Sequence, residues 1–268
     1  MSISFAPSRK EDADMVNQEN YQLVFREEFD EAELDETKWL SQYFPHAAPD
    51  LERCKPRYFI QDSILHIYID QMTPTYADDS DMKVSSIQTI ERNGLHPGAG
   101  TVNLHEVEPY EGFAIQYGYF EMRAKLPQCG GGGHMAWWLI GTQEDVGADG
   151  LGSLQTGEID IVETLFAQNH LFRPSIHKWT DSNLQEFHQE CFLEDFDSEA
   201  YHIYGLDWSP NGLKFYLDGQ CLVQTDQSPA YRMGMFLGLY TNCDWSGEDN
   251  GVYPKTLCVD YIRVYQHQ

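Results

Sequence analysis

The chain is built of short runs in which apolar and polar residues alternate, and this two-residue period constrains its fold more than any other feature. Many of the runs are rich in β-branched and aromatic residues, and the stretches between them contain Gly, Pro, Asn and Asp, which favour turns. Because alternate residues of a strand face opposite sides, each run can bury one face in a core. No segment shows a sustained helical period with capping residues at its ends. The sequence therefore predicts an all-β fold, a sandwich or jelly roll, with strands in residues 21–29, 63–70, 117–126, 157–166, 201–208, 213–223, 233–240 and 258–266.

The domain organisation follows from length and from the absence of breaks. A chain of 268 residues fits one large all-β domain or two small ones, and it contains neither an internal repeat nor an interdomain linker. The glycine-rich stretch 128–138 is too short for a linker, and we expect it to let the backbone turn tightly beside a groove. Residues 1–20 are polar and predict an N-terminal arm. We therefore expect this arm to be followed by a single domain over residues 21–268.

The net charge limits the partners of the chain. It has 17 basic against 43 acidic residues, a formal charge of -26. Such a field repels nucleic acid phosphates and anionic membrane surfaces, so we expect neither nucleic acid nor a membrane as a partner. The basic residues are scattered singly, which also disfavours a strongly anionic polymer. A neutral or weakly charged partner fits better, and we expect the chain to act as a monomer.

Cysteine spacing and the ends of the chain bear on the compartment. The 6 cysteines are widely spaced and include no C-x-x-C pair, so we expect free, buried thiols rather than a cysteine zinc site or a disulfide framework. No stretch of about 18 apolar residues could span a membrane. The first residues lack the apolar run of a signal peptide. As it stands the sequence predicts a cytoplasmic protein, or a secreted one if a leader was removed.

Three acidic residues lie within six positions in the segment 157–163, Gly-Glu-Ile-Asp-Ile-Val-Glu. In a regular strand Glu158 and Asp160 share one face while Ile159 and Ile161 point into the core, and Glu163 falls on the wrong face. A β-bulge at Ile161–Val162 would add one residue and return Glu163 to the face of the other carboxylates. The segment thus predicts a bulged strand with all three acids on one side.

The spacing of these acids suits catalysis by a pair of carboxyl groups. At about 3.3 Å per residue, five steps less a bulge separate the two glutamate Cα atoms by roughly 13 Å. Side chains that lean inward bring the carboxyl groups to about 5–6 Å, close to the separation in retaining glycosidases. One group would attack the anomeric carbon and the other protonate the leaving oxygen, while Asp160 holds a proton or a hydrogen bond between them. On spacing alone, a solvated strand face or a cation site is the alternative.

The E-x-D-x-x-E strand resembles the catalytic signature of the family 16 glycoside hydrolases in its bulged form, which is typical of laminarinases, agarases and related endo-β-galactanases. Other stretches agree in the family's usual order: FREEFD and LDETKW near the start, YGYFEMRAKLP (117–127), the WW-containing run before the motif, residues 201–219 and VDYIRVY (259–265). The resemblance spans residues 21–266. It implies a concanavalin-like β-sandwich jelly roll of two curved antiparallel sheets, whose concave face forms an open glycan cleft.

By matching position, the resemblance implies that Glu158 is the nucleophile, Asp160 the assisting acid and Glu163 the general acid/base. It also implies substrate-binding side chains around them, each of which could equally be packing in the core or at the rim: Trp138, His134, His177, Trp179, Tyr240 and Trp245.

The resemblance further implies a structural calcium, which the family often carries on the convex face. Glu28, Asp260 and the carbonyl of Ser63 lie at the matching places, and oxygen ligands suit a hard cation. Surface acids without an ion are the alternative. No cofactor is required for the implied chemistry.

Some residues depart from the family's glucanase pattern. His134-Met135 stand where the laminarinase run has Trp-Pro, Lys178 separates His177 from Trp179, and residues 87–96 do not read like the usual glucanase strand.

The resemblance as a whole implies a retaining endo-β-glycoside hydrolase that cleaves internal linkages of a neutral polysaccharide or oligosaccharide. We expect β-1,3- or β-1,3/1,4-glucan first, and β-galactan or a related glycan next.

Two rival functions share the expected fold. A lectin-like module would bind glycan without cleaving it, but binding-only relatives typically lose one or both glutamates, and here all three acids are present. A transglycosylase would pass the glycosyl group to a sugar instead of water. A purely structural role has only the acidic surface in its favour, and that surface is more simply explained by solubility.

Overall fold

The structure, a computed structural model, describes residues 20–127, 130–143, 155–194, 196–243 and 245–268. The expected arm over residues 1–20 falls outside these ranges except for Asn20, and the first strand begins at Tyr21. Within the described residues, no helix is long and apolar enough to cross a membrane.

The described chain is almost entirely β-structure, with one 3-10 helix at Pro97–Ala99. In chain order the strands are β1 (Tyr21–Glu27), β2 (Tyr58–Gln61), β3 (Ile64–Ile69), β4 (Val84–Gln88), β5 (Ile90–Glu91), β6 (Tyr110–Glu111), β7 (Ala114–Ile115), β8 (Gly118–Lys125), β9 (His134–Gly141), β10 (Glu158–Leu165), β11 (Leu171–Phe172), β12 (Ser175–His177), β13 (Phe187–His188), β14 (Cys191–Phe192), β15 (His202–Ser209), β16 (Gly212–Leu217), β17 (Gln220–Thr225), β18 (Met233–Tyr240) and β19 (Lys255–His267).

Two large sheets carry the fold. The eight-stranded sheet has the order β17-β16-β15-β8-β19-β3-β2, with β1 paired to β19, and the seven-stranded sheet has the order β13-β12-β10-β9-β18-β4, with β7 paired to β18. Neighbouring strands within each of these two sheets are antiparallel. Neighbours such as β9 and β18 are far apart in sequence, so the sheets form only when the whole domain folds. The all-β sandwich predicted from the two-residue period is confirmed.

The main core lies between the two sheets, and strands of both sheets contribute alternate residues to it. The seven-stranded sheet contributes Met135, Trp137 and Leu139 from β9, and the eight-stranded sheet contributes Phe120, Met122 and Ala124 from β8. A second, smaller cluster lies on the opposite face of the seven-stranded sheet. It contains Ala136, Trp138 and Ile140 from β9 together with side chains from surrounding loops, including Phe44 and Leu95. The seven-stranded sheet is thus covered over part of both faces.

Among the described cysteines, Cys54, Cys191, Cys221 and Cys258 are free, as their spacing predicts. Cys54 and Cys258 are buried, Cys191 and Cys243 are half-buried, and Cys221 is exposed. Uniform burial was therefore the wrong expectation, because Cys221 lies near the end of an edge strand, β17, which no further strand covers. Cys129 lies outside the described residues.

A matched pair of leucine truncations tests which surface forms the core. Leu237 on β18 is fully buried between the sheets, whereas Leu23 on β1 is 43% exposed. We expect Leu237→Ala to lower the free energy of unfolding by about 2–5 kcal/mol, because it removes buried methyl groups and leaves a cavity. We expect Leu23→Ala to change it by about 0.5 kcal/mol or less. Chemical denaturation of both variants measures the difference, and equal losses would contradict this core.

Candidate active site

The three acids of the motif lie on β10, and a bulge aligns them. The pairing with β9 sets Asp160 opposite Trp138 and Val162 opposite Trp137, so Ile161 is the extra residue. Both Ile161 and Val162 point into the main core. Glu158, Asp160 and Glu163 consequently share the opposite face of the sheet, and the bulge lies within the Ile161–Val162 step that the sequence predicts.

Burial makes these carboxyl groups hard to ionise together. Glu158 is 8% and Asp160 2% exposed. Burial, followed by the charge of Asp160, raises the pKa of Glu158. The same two causes raise the pKa of Glu163 to about 8. Since like charges on one face in a poorly solvated site cannot all be carried at once, the three groups retain at least one proton near neutral pH.

Trp179 fixes the orientation of the Glu158 carboxylate. Its indole Nε1 donates a hydrogen bond of 2.6 Å to Glu158 Oε2, and His96 Nε2 lies 3.3 Å from the same oxygen. The indole hydrogen bond favours the ionised form and so opposes the rise in the pKa of Glu158. Both contacts fall on one oxygen, so the plane of the carboxylate is held from that side.

His96 was not predicted as a site residue, and it lies at the centre of this contact. Its side chain is buried, its backbone has a left-handed φ of 61°, and its ring stacks on Phe44 with centroids 5.6 Å apart. Two residues later, a Cβ atom added to Gly98 would lie 2.3 Å from Trp179 Cβ. The turn after β5 therefore packs directly against Trp179, and Gly98 leaves the space for it.

His177 lies between the carboxylates and the sheet edge. It pairs with Glu158 in the register of β10 and β12, and its Nε2 lies 3.2 Å from Asp160 Oδ2. Burial alone would lower the pKa of His177, but contact with Asp160 and the charges of Glu158 and Glu186 raise it to about 10. An imidazolium therefore offsets part of the negative charge of the triad at neutral pH.

The Glu163 end of the strand has a different environment. His134 Nε2 lies 3.9 Å from Glu163 Oε1, and burial, with the nearby charge of Arg173, lowers the pKa of His134 to about 3. This histidine is therefore neutral. Its ring stacks on Tyr240 at 5.0 Å and meets Trp245 at 4.3 Å. Trp245 is 46% exposed, so an aromatic surface extends from the acid into solvent.

Two of the predicted substrate-binding aromatics are placed otherwise than expected. Trp138 and Tyr240 are 5% and 4% exposed and belong to the second cluster. Trp138 Nε1 donates to Tyr240 Oη at 3.2 Å, and the two rings are covered by loop side chains such as Phe44 and Tyr43. Trp138 lies beside Asp160 on the neighbouring strand, and both rings are packed under these loops rather than forming an open stacking surface. Of the predicted aromatics, Trp245 has the exposure that stacking on a sugar requires.

The residues proposed for a structural calcium do not fit that ion. Both oxygens of Glu28 accept hydrogen bonds from Arg263, at 2.8 and 3.2 Å, and Arg26 adds a contact at 3.0 Å. Asp260 Oδ2 is bound by Arg123 at 2.5 Å. Because guanidinium groups already neutralise both carboxylates, the set of Glu28, Ser63 and Asp260 offers a divalent cation no pair of available charged oxygens.

Comparison with known proteins decides the family. The model of the glycosyl hydrolases family 16 matches residues 110–263, more than half of the chain. The chain belongs to glycoside hydrolase family 16. The matched segment contains the whole triad strand of this family 16 domain and the strands beside it.

Three proteins of known name are similar to this chain over most of its length. A GlcNAcα1-4Gal releasing endo-β-galactosidase from Clostridium perfringens is 37% identical, with a TM-score of 0.87 over 93% of this chain and 63% of that one. The catalytic domain of a laminarinase from Thermotoga petrophila RKU-1 is 23% identical, with a TM-score of 0.71 over 93% and 99% of the two chains, and shares the jelly-roll fold. Glucan endo-1,3-beta-glucosidase A1 from Niallia circulans is 22% identical over 92% of this chain. The family 16 chain spans only 38% of that last relative's length.

Substitution of Gly98 tests whether the turn after β5 holds Trp179. We expect Gly98→Ala to displace the indole, since the new methyl group would overlap Trp179 Cβ, and thereby to lengthen the hydrogen bond to Glu158. The indole N–H resonance of Trp179, assigned with Trp179→Phe, should shift upfield in a ¹⁵N–¹H spectrum because a weaker hydrogen bond deshields the proton less. The neighbouring exposed Ala99→Ser is the control and should leave the resonance in place. An unmoved resonance in Gly98→Ala would refute the contact.

Proposed function

We propose that this chain is a retaining, endo-acting β-glycoside hydrolase, and that its substrate is an internal β-galactoside linkage of a glycan. The observation that carries the activity is the group of three carboxylates on one face of β10, two of them buried and Glu163 half-buried, with Glu158 bound by Trp179 at 2.6 Å. Clustering of like charges in a buried position costs folding free energy, and groups perturbed in this way are concentrated at active sites. Retaining hydrolysis uses such a pair.

Glu158 acts as the nucleophile. Its carboxylate attacks the anomeric carbon and forms a glycosyl ester, while the glycosidic C–O bond breaks. The indole N–H of Trp179 stabilises the charged form that attack requires. Asp160 lies between the two glutamates on the strand, and the imidazolium of His177 beside it offsets part of their negative charge during the step.

Glu163 acts as general acid and then as general base. Its pKa of about 8 keeps it protonated at neutral pH, so it can give its proton to the leaving oxygen in the first step. In the second step its carboxylate takes a proton from water, which attacks the anomeric carbon and releases Glu158. Attack by the hydroxyl of another sugar would give transglycosylation instead.

Similarity favours a galactoside over a glucan. The endo-β-galactosidase is 37% identical to this chain over 93% of its length, whereas the laminarinase with the same coverage is 23% identical. The departures of the sequence from the glucanase pattern at His134, Met135 and Lys178 point the same way. We therefore place β-galactoside ahead of β-glucan, and an oligosaccharide ending in GlcNAcα1-4Gal is the first substrate to test.

A substrate panel tests the activity. We expect the wild type to release oligosaccharide from a glycan with GlcNAcα1-4Gal in β-linkage, and not from laminarin or lichenan. Glu158→Gln is the blank. Release from laminarin alone would restore the glucan assignment. Binding of one glycan without cleavage by the wild type would favour a lectin-like module, and longer products in the presence of acceptor sugars would indicate transglycosylation.

Amide substitutions separate the two glutamates. We expect both Glu158→Gln and Glu163→Gln to lower kcat by at least about a thousandfold on the natural glycan, since each removes an essential group. On an aryl glycoside with an activated leaving group, Glu163→Gln should keep glycosylation activity because the departing phenol needs no proton. Glu158→Gln should not recover. Steady-state rates on both substrates make the distinction, and the reverse pattern would exchange the roles.

The pH dependence of kcat/KM tests the protonation state of Glu163. Activity should fall above about pH 8, because the general acid is lost when pH exceeds its raised pKa. The charge of Arg173 lowers that pKa, so Arg173→Gln should move the basic limb to higher pH. Arg53→Gln, which changes a remote surface arginine, should not. A basic limb that moves to lower pH in Arg173→Gln would contradict this assignment.

A further inference from the structure

Next to the active site, three potential metal ligands converge on the edge of the seven-stranded sheet. His177 ends β12, His188 ends β13, and Glu186 immediately precedes β13. One ligand atom from each lies within 4.8 Å of the other two. The proposed hydrolysis uses neither Glu186 nor His188, so their convergence on His177 has no explanation in that chemistry.

The spacing of the ligand atoms matches a tetrahedral ion. His177 Nδ1 lies 3.2 Å from Glu186 Oε2, and His188 Nε2 lies 3.5 Å from the same oxygen. A zinc ion with ligands at about 2.0–2.1 Å in tetrahedral geometry sets neighbouring ligand atoms about 3.3–3.4 Å apart. Both separations therefore fit around one ion with little movement of the side chains.

Each of the three ligands is oriented by a partner on its other side. His177 Nε2 faces Asp160 Oδ2 at 3.2 Å, His188 Nδ1 lies 3.3 Å from Ser175 Oγ, and Glu186 Oε1 accepts a hydrogen bond from the backbone N–H of Lys178 at 3.1 Å. Such outer contacts fix the imidazole tautomer and the ring orientation at metal sites. This arrangement is what distinguishes a built site from a chance cluster of side chains.

The backbone of the hairpin holds these groups in register. Ser175 pairs with His188 and Ile176 with Phe187 across β12 and β13, so the ligands move together. The side chains of Glu186 and His188 are 46% and 48% exposed, which leaves an entry path from solvent. The net charge of -26 also raises the local concentration of cations.

We propose that His177 Nδ1, Glu186 Oε2 and His188 Nε2 bind one divalent transition metal ion, and that this ion is zinc. Two imidazoles favour a transition metal over calcium or magnesium, which take oxygen ligands. Three protein ligands leave a fourth position for water. Bound at Nδ1, the ion holds the ring of His177 with Nε2–H directed at Asp160, and so links the edge of the sheet to the carboxylate triad.

Calorimetric titration of the full chain with Zn²⁺ tests the site, and no glycan is needed. We expect one ion per chain. His188→Ala and Glu186→Gln should each weaken the affinity at least tenfold, and His170→Ala should not, because His170 is an exposed histidine outside the cluster. Co²⁺ as a probe should give the visible absorption bands of a tetrahedral ion in the wild type and lose them in His188→Ala.

Three results would overturn the proposal. The first is no Zn²⁺ binding by the folded wild type at millimolar concentration. The second is unchanged affinity in His188→Ala and Glu186→Gln. The third is binding that is lost only in Glu158→Gln, which would place the ion among the triad carboxylates instead. Near-ultraviolet circular dichroism verifies that each variant is folded. If His188→Ala does not fold, the Zn²⁺ affinity of Glu186→Gln tests the site instead. Failure here would leave the glycosidase activity untouched, since that activity is measured separately on glycans.

Discussion

The repulsion among three carboxyl groups on one face of β10 is the constraint that the rest of the site satisfies. Glu158 and Asp160 are almost fully buried. Burial and the charge of Asp160 together raise the pKa of both Glu158 and Glu163. A strand surface open to water would screen these charges. Here the second cluster and the turn after β5 exclude much of that water, and specific partners take its place.

Those partners differ between the two ends of the triad, and the difference supports the proposed roles of the two glutamates. Glu158 is met by an indole N–H and lies beside a histidine of raised pKa, which favour a negative charge. Glu163 is met by the neutral ring of His134 and retains its proton to about pH 8. Burial raises the pKa of both glutamates, but the contacts of Glu158 oppose that rise, which favours the proposed division into nucleophile and acid.

How much of this the sequence predicts depends on whether a feature is local. The two-residue period is local and predicts the β-sandwich. The spacing E-x-D-x-x-E is also local, and it predicts the bulge because all three acids can share one face of a strand only if one residue is added. His96 could not be found in this way: a single histidine in a Gly- and Pro-containing turn gives no signal until the turn packs on Trp179. Burial of Trp138 and Tyr240 likewise depends on loops that cover them.

The calcium site expected from the sequence also depends on contacts between distant parts of the chain. Glu28 and Asp260 match calcium ligands by position, but Arg263 and Arg123 bind them in the fold. The residues around each acid in the sequence do not predict these arginine partners. The cluster of His177, Glu186 and His188 is also invisible along the chain, because a hairpin register sets its spacing.

The bulge at Ile161 has a consequence for how the geometry of the triad can change. Both Ile161 and Val162 are packed between the sheets, so the separation of Glu158 and Glu163 depends on hydrocarbon packing on the far side of the strand. The distance between these two carboxyl groups is thus tied to the volume of the side chains in the core. A substitution in the core that changes how Ile161 and Val162 pack would therefore change the distance between the two carboxyl groups without altering either glutamate.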